Sequence, residues 1–130
     1  MSDLQHQTRS IALIGASDKP ARASFGVMRF LLGKGFTVYP VNPLLHGRDI
    51  LGQPVYAALA DCPAPIDMVD IFRNTEDAAA VIDEAIALKE TLQIKTIWCQ
   101  LGVTPHAAAA RAQQAGLTVI IDRCPAIEWR

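Results

Sequence analysis

The chain of 130 residues lacks the cysteine and histidine patterns that mark disulfide-stapled or zinc-binding domains. Its three cysteines are odd in number and form no C-x-x-C pair, so neither a disulfide framework nor a zinc site is predicted. The three histidines form no H-E-x-x-H pair, and the G-x-S-x-G nucleophile segment is missing. The sequence therefore predicts no metal centre and no catalytic residues.

Long apolar runs are also missing. No uninterrupted run approaches the ~18 residues of a membrane span, and the opening segment 1–9 is polar and has no signal-peptide core. The formal net charge of −1 argues against a nucleic-acid partner. We therefore expect a cytoplasmic protein without a membrane partner, built as one domain over residues 1–130 with a polar tail at 1–9.

Basic residues are concentrated at the start of the chain. Residues 1–48 contain six Lys and Arg but only two Asp, whereas the remainder is acidic. A ligand that carries several negative charges is therefore predicted to meet its cations in the first third of the chain.

Five short apolar segments predict strands, and helical patterns separate most of them. The predicted strands are 10–14, 36–41, 67–72, 95–99 and 117–121. The main predicted helices are 24–34, one that begins after Asn74 and one that begins near Thr104. This alternation predicts an α/β fold with a doubly wound, five-stranded parallel sheet of Rossmann-like type. The expected strand order is 3-2-1-4-5, which places a ligand near the switch between the first and fourth strands.

The loop after the first predicted strand stands where a phosphate-binding turn belongs. Its candidate residues are Gly15, Ala16, Ser17, Asp18, Lys19 and Arg22. The loop departs from G-x-G-x-x-G, because Ser17 and Pro20 replace the second and third glycines. A tight strand-to-helix turn with no ligand is the alternative interpretation.

Two further strand ends carry candidate ligand contacts. Asn42-Pro43 stands where a free ribose diol would require Asp or Glu, so a phosphorylated ribose, as in NADP or coenzyme A, fits better. Phe72 and Arg73 can pack on a purine and reach a phosphate. The alternatives are an ordinary turn at Asn42-Pro43 and a core Phe beside a surface Arg.

Six motifs in a fixed order give the chain a family resemblance. They are IALIGAS, VYPVNP, GRDILGQPVY, DMVDIFRN, WCQLGV and DRCPAIEW. From about residue 10 to 129 the chain resembles the small bacterial CoA-binding proteins, which are similar to the N-terminal domain of the succinyl-CoA synthetase alpha subunit. The resemblance implies coenzyme A lying across the strand ends. It also implies contacts from the loop candidates above, from Asn42-Pro43 and Phe72-Arg73, and from the turn Cys99, Gln100, Leu101 and Gly102. Cys124-Pro125 matches the Cys-Pro pair that closes that fold.

Two departures limit what the resemblance implies. The ligase relatives have a lysine after the second-strand turn, where this chain has Leu44, Leu45 and His46. They also have a second domain with a phosphorylated histidine, which this sequence does not include. We therefore expect a protein that binds coenzyme A or an acyl-CoA without catalysis of its own. The alternatives are an NADP-binding oxidoreductase or redox-sensor module, and a ligase subunit that needs a separate catalytic chain.

Overall fold

Strands and helices alternate along the chain in the computed structural model, which describes residues 2–129. The strands are β1 (Ser10–Ile14), β2 (Thr37–Val41), β3 (Asp49–Ile50), β4 (Gln53–Pro54), β5 (Met68–Ile71), β6 (Thr96–Cys99) and β7 (Thr118–Ile120). The helices are α1 (Ser2–Gln7), α2 (Ala23–Gly33), α3 (Thr75–Leu92), α4 (His106–Gln114) and α5 (Pro125–Glu128).

The main sheet has five parallel strands in the order β2-β1-β5-β6-β7, and β3 and β4 form a separate small hairpin. Ile14 at the end of β1 is in register with Val41 of β2 and with Ile71 of β5. Residues of α2 pack on one face of the sheet, and residues of α3 and α4 pack on the other. The predicted α/β class and five-stranded parallel sheet are therefore confirmed.

The predicted strand order 3-2-1-4-5 is wrong. The third predicted strand is β5, which lies beside β1, so the order of the five strands is 2-1-3-4-5. Pro40 has no N–H for a ladder hydrogen bond, which favours an edge position for β2. Asp67 holds β5 beside β1, because its Oδ2 accepts hydrogen bonds from the N–H groups of Arg9 (2.9 Å) and Ser10 (3.3 Å). The switch point therefore lies between the first and third strands of the sequence.

The helix starts differ in how their backbone N–H groups are satisfied. Asn74 caps α3 as predicted, since its Oδ1 accepts a hydrogen bond of 2.7 Å from the Asp77 N–H. The N-cap of α2 is Arg22, whose side chain makes no capping hydrogen bond. Ser24, where the sequence predicted the helix to begin, is buried in the first turn. The start of α2 thus keeps N–H groups available to a ligand.

The apolar layer beneath α2 contains both tryptophans. Trp98 is fully buried on β6, and its indole N–H donates a 2.8 Å hydrogen bond to the Arg123 carbonyl. Its ring meets that of Trp129 edge to face, with centroids 5.3 Å apart. Trp98 is therefore a core residue. None of the helices within residues 2–129 has the length and apolar character needed to cross a lipid bilayer.

Candidate functional site

A cavity of about 650 Å³ opens at the carboxyl ends of the parallel strands, within the size range of small-molecule sites. Eleven of the residues predicted from the sequence line it: Gly15, Ala16, Ser17, Asp18, Lys19, Arg22, Asn42, Phe72, Arg73, Gln100 and Leu101. They come from loops that are distant in sequence, and the parallel sheet brings them to one edge. Their role in binding stays a prediction.

Three of the predicted residues lie elsewhere. Pro43 lines a smaller groove on the α3 side of the sheet. Cys99 is fully buried, and burial, with a smaller contribution from the Asp70 carboxylate, raises the pKa of its thiol to about 12. Gly102 lies outside the cavity, and its N–H donates a 2.7 Å hydrogen bond to Asp122 Oδ1. Cys99 is therefore an inert core thiol, and Gly102 belongs to a turn that shapes the rim.

Eight further residues line the cavity without having been among the predicted contacts. They are Ala23, Ser24, Val27, Leu44, Leu45, Asn74, Val103 and Cys124. The sequence did carry a signal for the first three, because they share one face at the start of a helix that follows a loop. Cys124 follows the last strand and therefore reaches the same edge of the sheet.

Gly15 is required by the packing of the strands. Its φ of +86° is in the region that favours glycine, and a Cβ there would collide with the carbonyl oxygen of Phe72. The N–H groups of Gly15 and Ala16 both donate to the Val41 carbonyl, at 3.0 and 3.3 Å. The first two amides of this loop thus join β1 to β2 and are not free for a ligand.

The next amides along the loop are different. Within residues 2–129, the N–H groups of Ser17, Asp18, Ala23 and Ser24 have no hydrogen-bond acceptor. Ser17 Oγ accepts the Lys19 N–H at 3.1 Å, which orders the loop. Free amides at a loop and at the start of an eleven-residue helix form an environment suited to an anion.

Three basic side chains border these amides. Lys19 and Arg22 are exposed and Arg73 is half-buried, and none of them forms an ion pair within residues 2–129. Asp18 also borders the cavity, but its Oδ2 lies 3.7 Å from Arg48 Nη1. The acidic residue thus has a cation of its own, and the three free cations leave the mouth of the cavity positive.

Asn42 is a structural clamp between two loops. Its Nδ2 donates to the Ala16 carbonyl and its Oδ1 accepts the Leu44 N–H, both at 2.9 Å. Both ends of the amide are therefore used within the chain. The neutral residue at this strand end therefore holds the loop that follows β1. Its Nδ2 carries a second N–H, and its part in ligand binding stays a prediction.

A buried polar pair lies behind the cavity wall. Gln100 lines the cavity and is 6% exposed, and its Nε2 donates a 2.5 Å hydrogen bond to Oδ1 of Asp70. Asp70 on β5 is fully buried, and burial raises the pKa of its carboxyl to about 7, although the hydrogen bond from Gln100 opposes the rise. Asp70 is the one acidic residue in an otherwise apolar strand, but no sequence pattern links it to Gln100.

The described residues place no histidine in the cavity. His46 and His106 are both exposed, and neither is among the lining residues. Within residues 2–129 no group of three or more His, Cys, Asp or Glu is arranged to hold a metal ion. The described lining residues offer backbone N–H groups, basic side chains and apolar side chains.

Comparison with known proteins identifies relatives over nearly the whole chain. A family model described as a CoA binding domain matches residues 9–130. The uncharacterized protein YneT of Bacillus subtilis is 31% identical over 124 residues, which cover 95% of this chain and 87% of YneT. A structure from Thermus thermophilus is 30% identical with a TM-score of 0.91, covering 98% of this chain and 92% of that one.

A longer enzyme subunit shares part of the sequence. The alpha subunit of the ADP-forming acetate–CoA ligase I of Pyrococcus furiosus is 31% identical over 80 residues. The match covers 58% of this chain but only 17% of that subunit. The relationship therefore concerns one segment of the ligase subunit.

Proposed function

Because this chain belongs to the family of CoA-binding domains, as its sequence motifs predicted, we propose that it binds coenzyme A or an acyl-CoA at the carboxyl ends of its parallel strands. We further propose that binding takes place without catalysis by the chain itself. Coenzyme A is then a ligand that the protein holds, delivers or senses.

One observation carries this proposal: four backbone amides and three cations that have no partner within residues 2–129 meet at the mouth of a single cavity. Coenzyme A carries a diphosphate and a ribose phosphate, so it needs several positive or N–H-bearing groups close together. Ser17 and Asp18 supply loop amides and the start of α2 supplies helix amides. Positive charge that can pair with the phosphates comes from Lys19, Arg22 and Arg73.

The rim of the cavity fits the uncharged part of the same ligand. Leu44 is 90% exposed and Leu101 is 59% exposed, and both line the cavity. Large apolar side chains that stand open to water at a cavity rim are typical of a binding surface. We assign them to the pantetheine arm or to an acyl chain attached to it.

The absence of catalysis is proposed from the side chains that line the cavity. Ser17, Ser24 and Cys124 are the potential nucleophiles there, and none has a histidine beside it among the described lining residues. A serine or cysteine nucleophile needs an adjacent base to act at neutral pH. A ligand-holding role needs no such base.

Isothermal titration calorimetry tests the proposal. We expect CoA to bind with a Kd in the micromolar range or lower, more weakly as dephospho-CoA, and less tightly as salt concentration rises. An acyl-CoA with a short chain should bind at least as well as CoA. Tight binding of NADP with none of CoA would reject the proposal in favour of a nicotinamide-binding module.

A pair of arginine variants localises the binding. Arg73→Ala removes a cation at the cavity, and the loss of a charge-assisted hydrogen bond should raise the Kd roughly tenfold or more. Arg9→Ala makes the same chemical change at the amino ends of the strands, where Arg9 is exposed and lines a separate groove. Equal effects of the two variants would show that only the overall charge matters.

A second candidate function rests on the ligase relative. The 31% identity to an acetate–CoA ligase alpha subunit over 80 residues favours a role as the CoA-holding part of a ligase whose catalytic residues lie on another chain. The chain would then copurify from its own cells with a larger protein and gain ATP-dependent CoA ligation only in that complex. Purified alone it would bind CoA and form no thioester.

A further inference from the structure

Asp70 and Gln100 form a contact that joins the protein interior to the cavity wall. Asp70 is in register with Trp98 of β6, and Gln100 follows two residues after Trp98, so the two side chains share one side of the sheet. Their hydrogen bond is short, from Nε2 to Oδ1 at 2.5 Å. Asp70 itself does not line the cavity, whereas Gln100 does.

The hydrogen bond fixes which end of the Gln100 amide meets the ligand. Above its pKa of about 7 the Asp70 carboxylate is ionised and only accepts hydrogen bonds, so it turns the Nε2 donor inward and leaves Oε1 on the other side. Within residues 2–129, Oε1 has no donor and is not among the fully buried atoms, and Gln100 lines the cavity, whereas Oδ2 of Asp70 is buried and has no partner at all. A buried carboxylate with a single donor is costly to keep, which argues for a purpose other than stability.

We propose that Asp70 is a positioning residue, which holds Oε1 of Gln100 toward the cavity as a fixed acceptor for an N–H or O–H group of the ligand. This inference rests on the proposed binding of CoA. Coenzyme A carries such donors on its pantetheine amides, its hydroxyl groups and its adenine amino group. A phosphate would be repelled by Oε1, so the phosphates lie by Lys19 and Arg22 and an uncharged part of the ligand lies over Gln100.

A double-mutant cycle tests whether Asp70 acts through Gln100. Gln100→Met keeps the size of the side chain without hydrogen bonds, and it should raise the Kd for CoA about tenfold. Asp70→Asn can both donate and accept, so the Gln100 amide loses its fixed orientation and the Kd should rise about threefold or more. In the Gln100→Met background the same Asp70→Asn change should leave the Kd unaltered.

The outcomes separate this role from a structural one. Equal effects of Asp70→Asn in both backgrounds would overturn the inference, because Asp70 would then act through the fold in general. Asp61→Asn, a matched change at an exposed carboxylate, should leave the Kd unchanged. CoA binding without coupling would overturn only the role of Asp70, whereas a wild-type chain that binds no CoA would overturn the proposed function as well.

A measurement on the free protein checks the orientation directly. In ¹⁵N-labelled protein the Gln100 side-chain amide is identified as the NH₂ signal that Gln100→Met removes. At about pH 8.5, above the Asp70 pKa of about 7, we expect this signal to be shifted downfield and to exchange slowly with water. Asp70→Asn should move it toward the position of a free amide. If Asp70→Asn leaves the chemical shift of the Gln100 side-chain amide unchanged, the inference is overturned even if CoA binds.

Discussion

Replacing the buried carboxyl of Asp70 should change how the stability of the protein depends on pH. Asp70 is fully buried, receives one hydrogen bond from Gln100 and takes part in no ion pair among the described residues. Burial therefore raises the pKa of this carboxyl to about 7 in the folded protein, so it stays protonated to a much higher pH than in the unfolded chain. Asp70→Asn has nearly the same shape and does not titrate, so it removes this dependence.

The size and sign of the effect follow from proton linkage. A carboxyl of pKa about 3.9 in the unfolded chain and about 7 in the folded protein binds its proton more tightly when folded. Its contribution to stability is fully present below about pH 4 and is lost as the pH rises through 7, by roughly 4 kcal/mol in all. Between about pH 5 and pH 8 the wild type should lose roughly 2–3 kcal/mol that Asp70→Asn does not lose.

Urea unfolding of both proteins across this pH range measures the difference directly. We expect the free energy of unfolding of Asp70→Asn to increase relative to that of the wild type as the pH rises, because only the wild type loses stability. Glu90→Gln is the control, because the Glu90 side chain is 92% exposed and should show no comparable trend. A wild-type-minus-variant difference that stays constant with pH, or that moves in the opposite direction, would refute the reasoning about Asp70.

Three other predictions follow from the site. Gly15→Val should lower the free energy of unfolding by roughly 2–5 kcal/mol in thermal or urea unfolding, because Gly15 has a positive φ and a side chain there would clash with the Phe72 carbonyl. Gly26→Ala should raise the free energy of unfolding by about 0.5–1 kcal/mol, because Gly26 lies within α2 with open space around it. A destabilised Gly26→Ala or a neutral Gly15→Val would contradict this packing. Asn42→Ala should lower the free energy of unfolding by about 1–2 kcal/mol and weaken CoA binding in calorimetry, since it releases the loop that follows β1. Unchanged affinity would show that this clamp does not serve the site. In thiol-labelling experiments read by mass spectrometry, Cys124 should react faster than the buried Cys99 and be protected by CoA; labelling of Cys124 that CoA does not slow would place the ligand elsewhere.

Much of the fold was predictable because apolar runs and turn residues are local signals. The parallel strands, the cap at Asn74 and the gathering of loops at one edge all follow from short stretches of sequence. The strand order does not follow from local signals. It depends on a long-range contact, in which the Asp67 carboxylate before β5 accepts the N–H groups of Arg9 and Ser10 at the start of β1. Pro40 did indicate an edge position for β2, because proline has no N–H for a second neighbouring strand. The predicted order placed this strand inside the sheet and overlooked that signal.

The site was predictable in its loops but not in its polar connections. Position along the chain identified the loop at 15–22 and the residues Phe72 and Arg73, because strand ends converge in a parallel sheet. It did not reveal that Asn42 is occupied by the Ala16 and Leu44 backbone, nor that Asp70 reaches Gln100. The Asn42–Ala16 and Asp70–Gln100 contacts join residues 26 and 30 positions apart, where no sequence pattern is expected.

Mapping the contact surface of CoA tests the central claim most directly. Amide chemical shifts of the ¹⁵N-labelled protein should change, as CoA is added, in the loop 15–22, at Arg73 and at Gln100. The groove at the opposite edge, which Arg9 and Lys34 line, should show no change. Changes centred on that opposite groove, or none at millimolar CoA, would contradict a CoA site at the carboxyl ends of the strands.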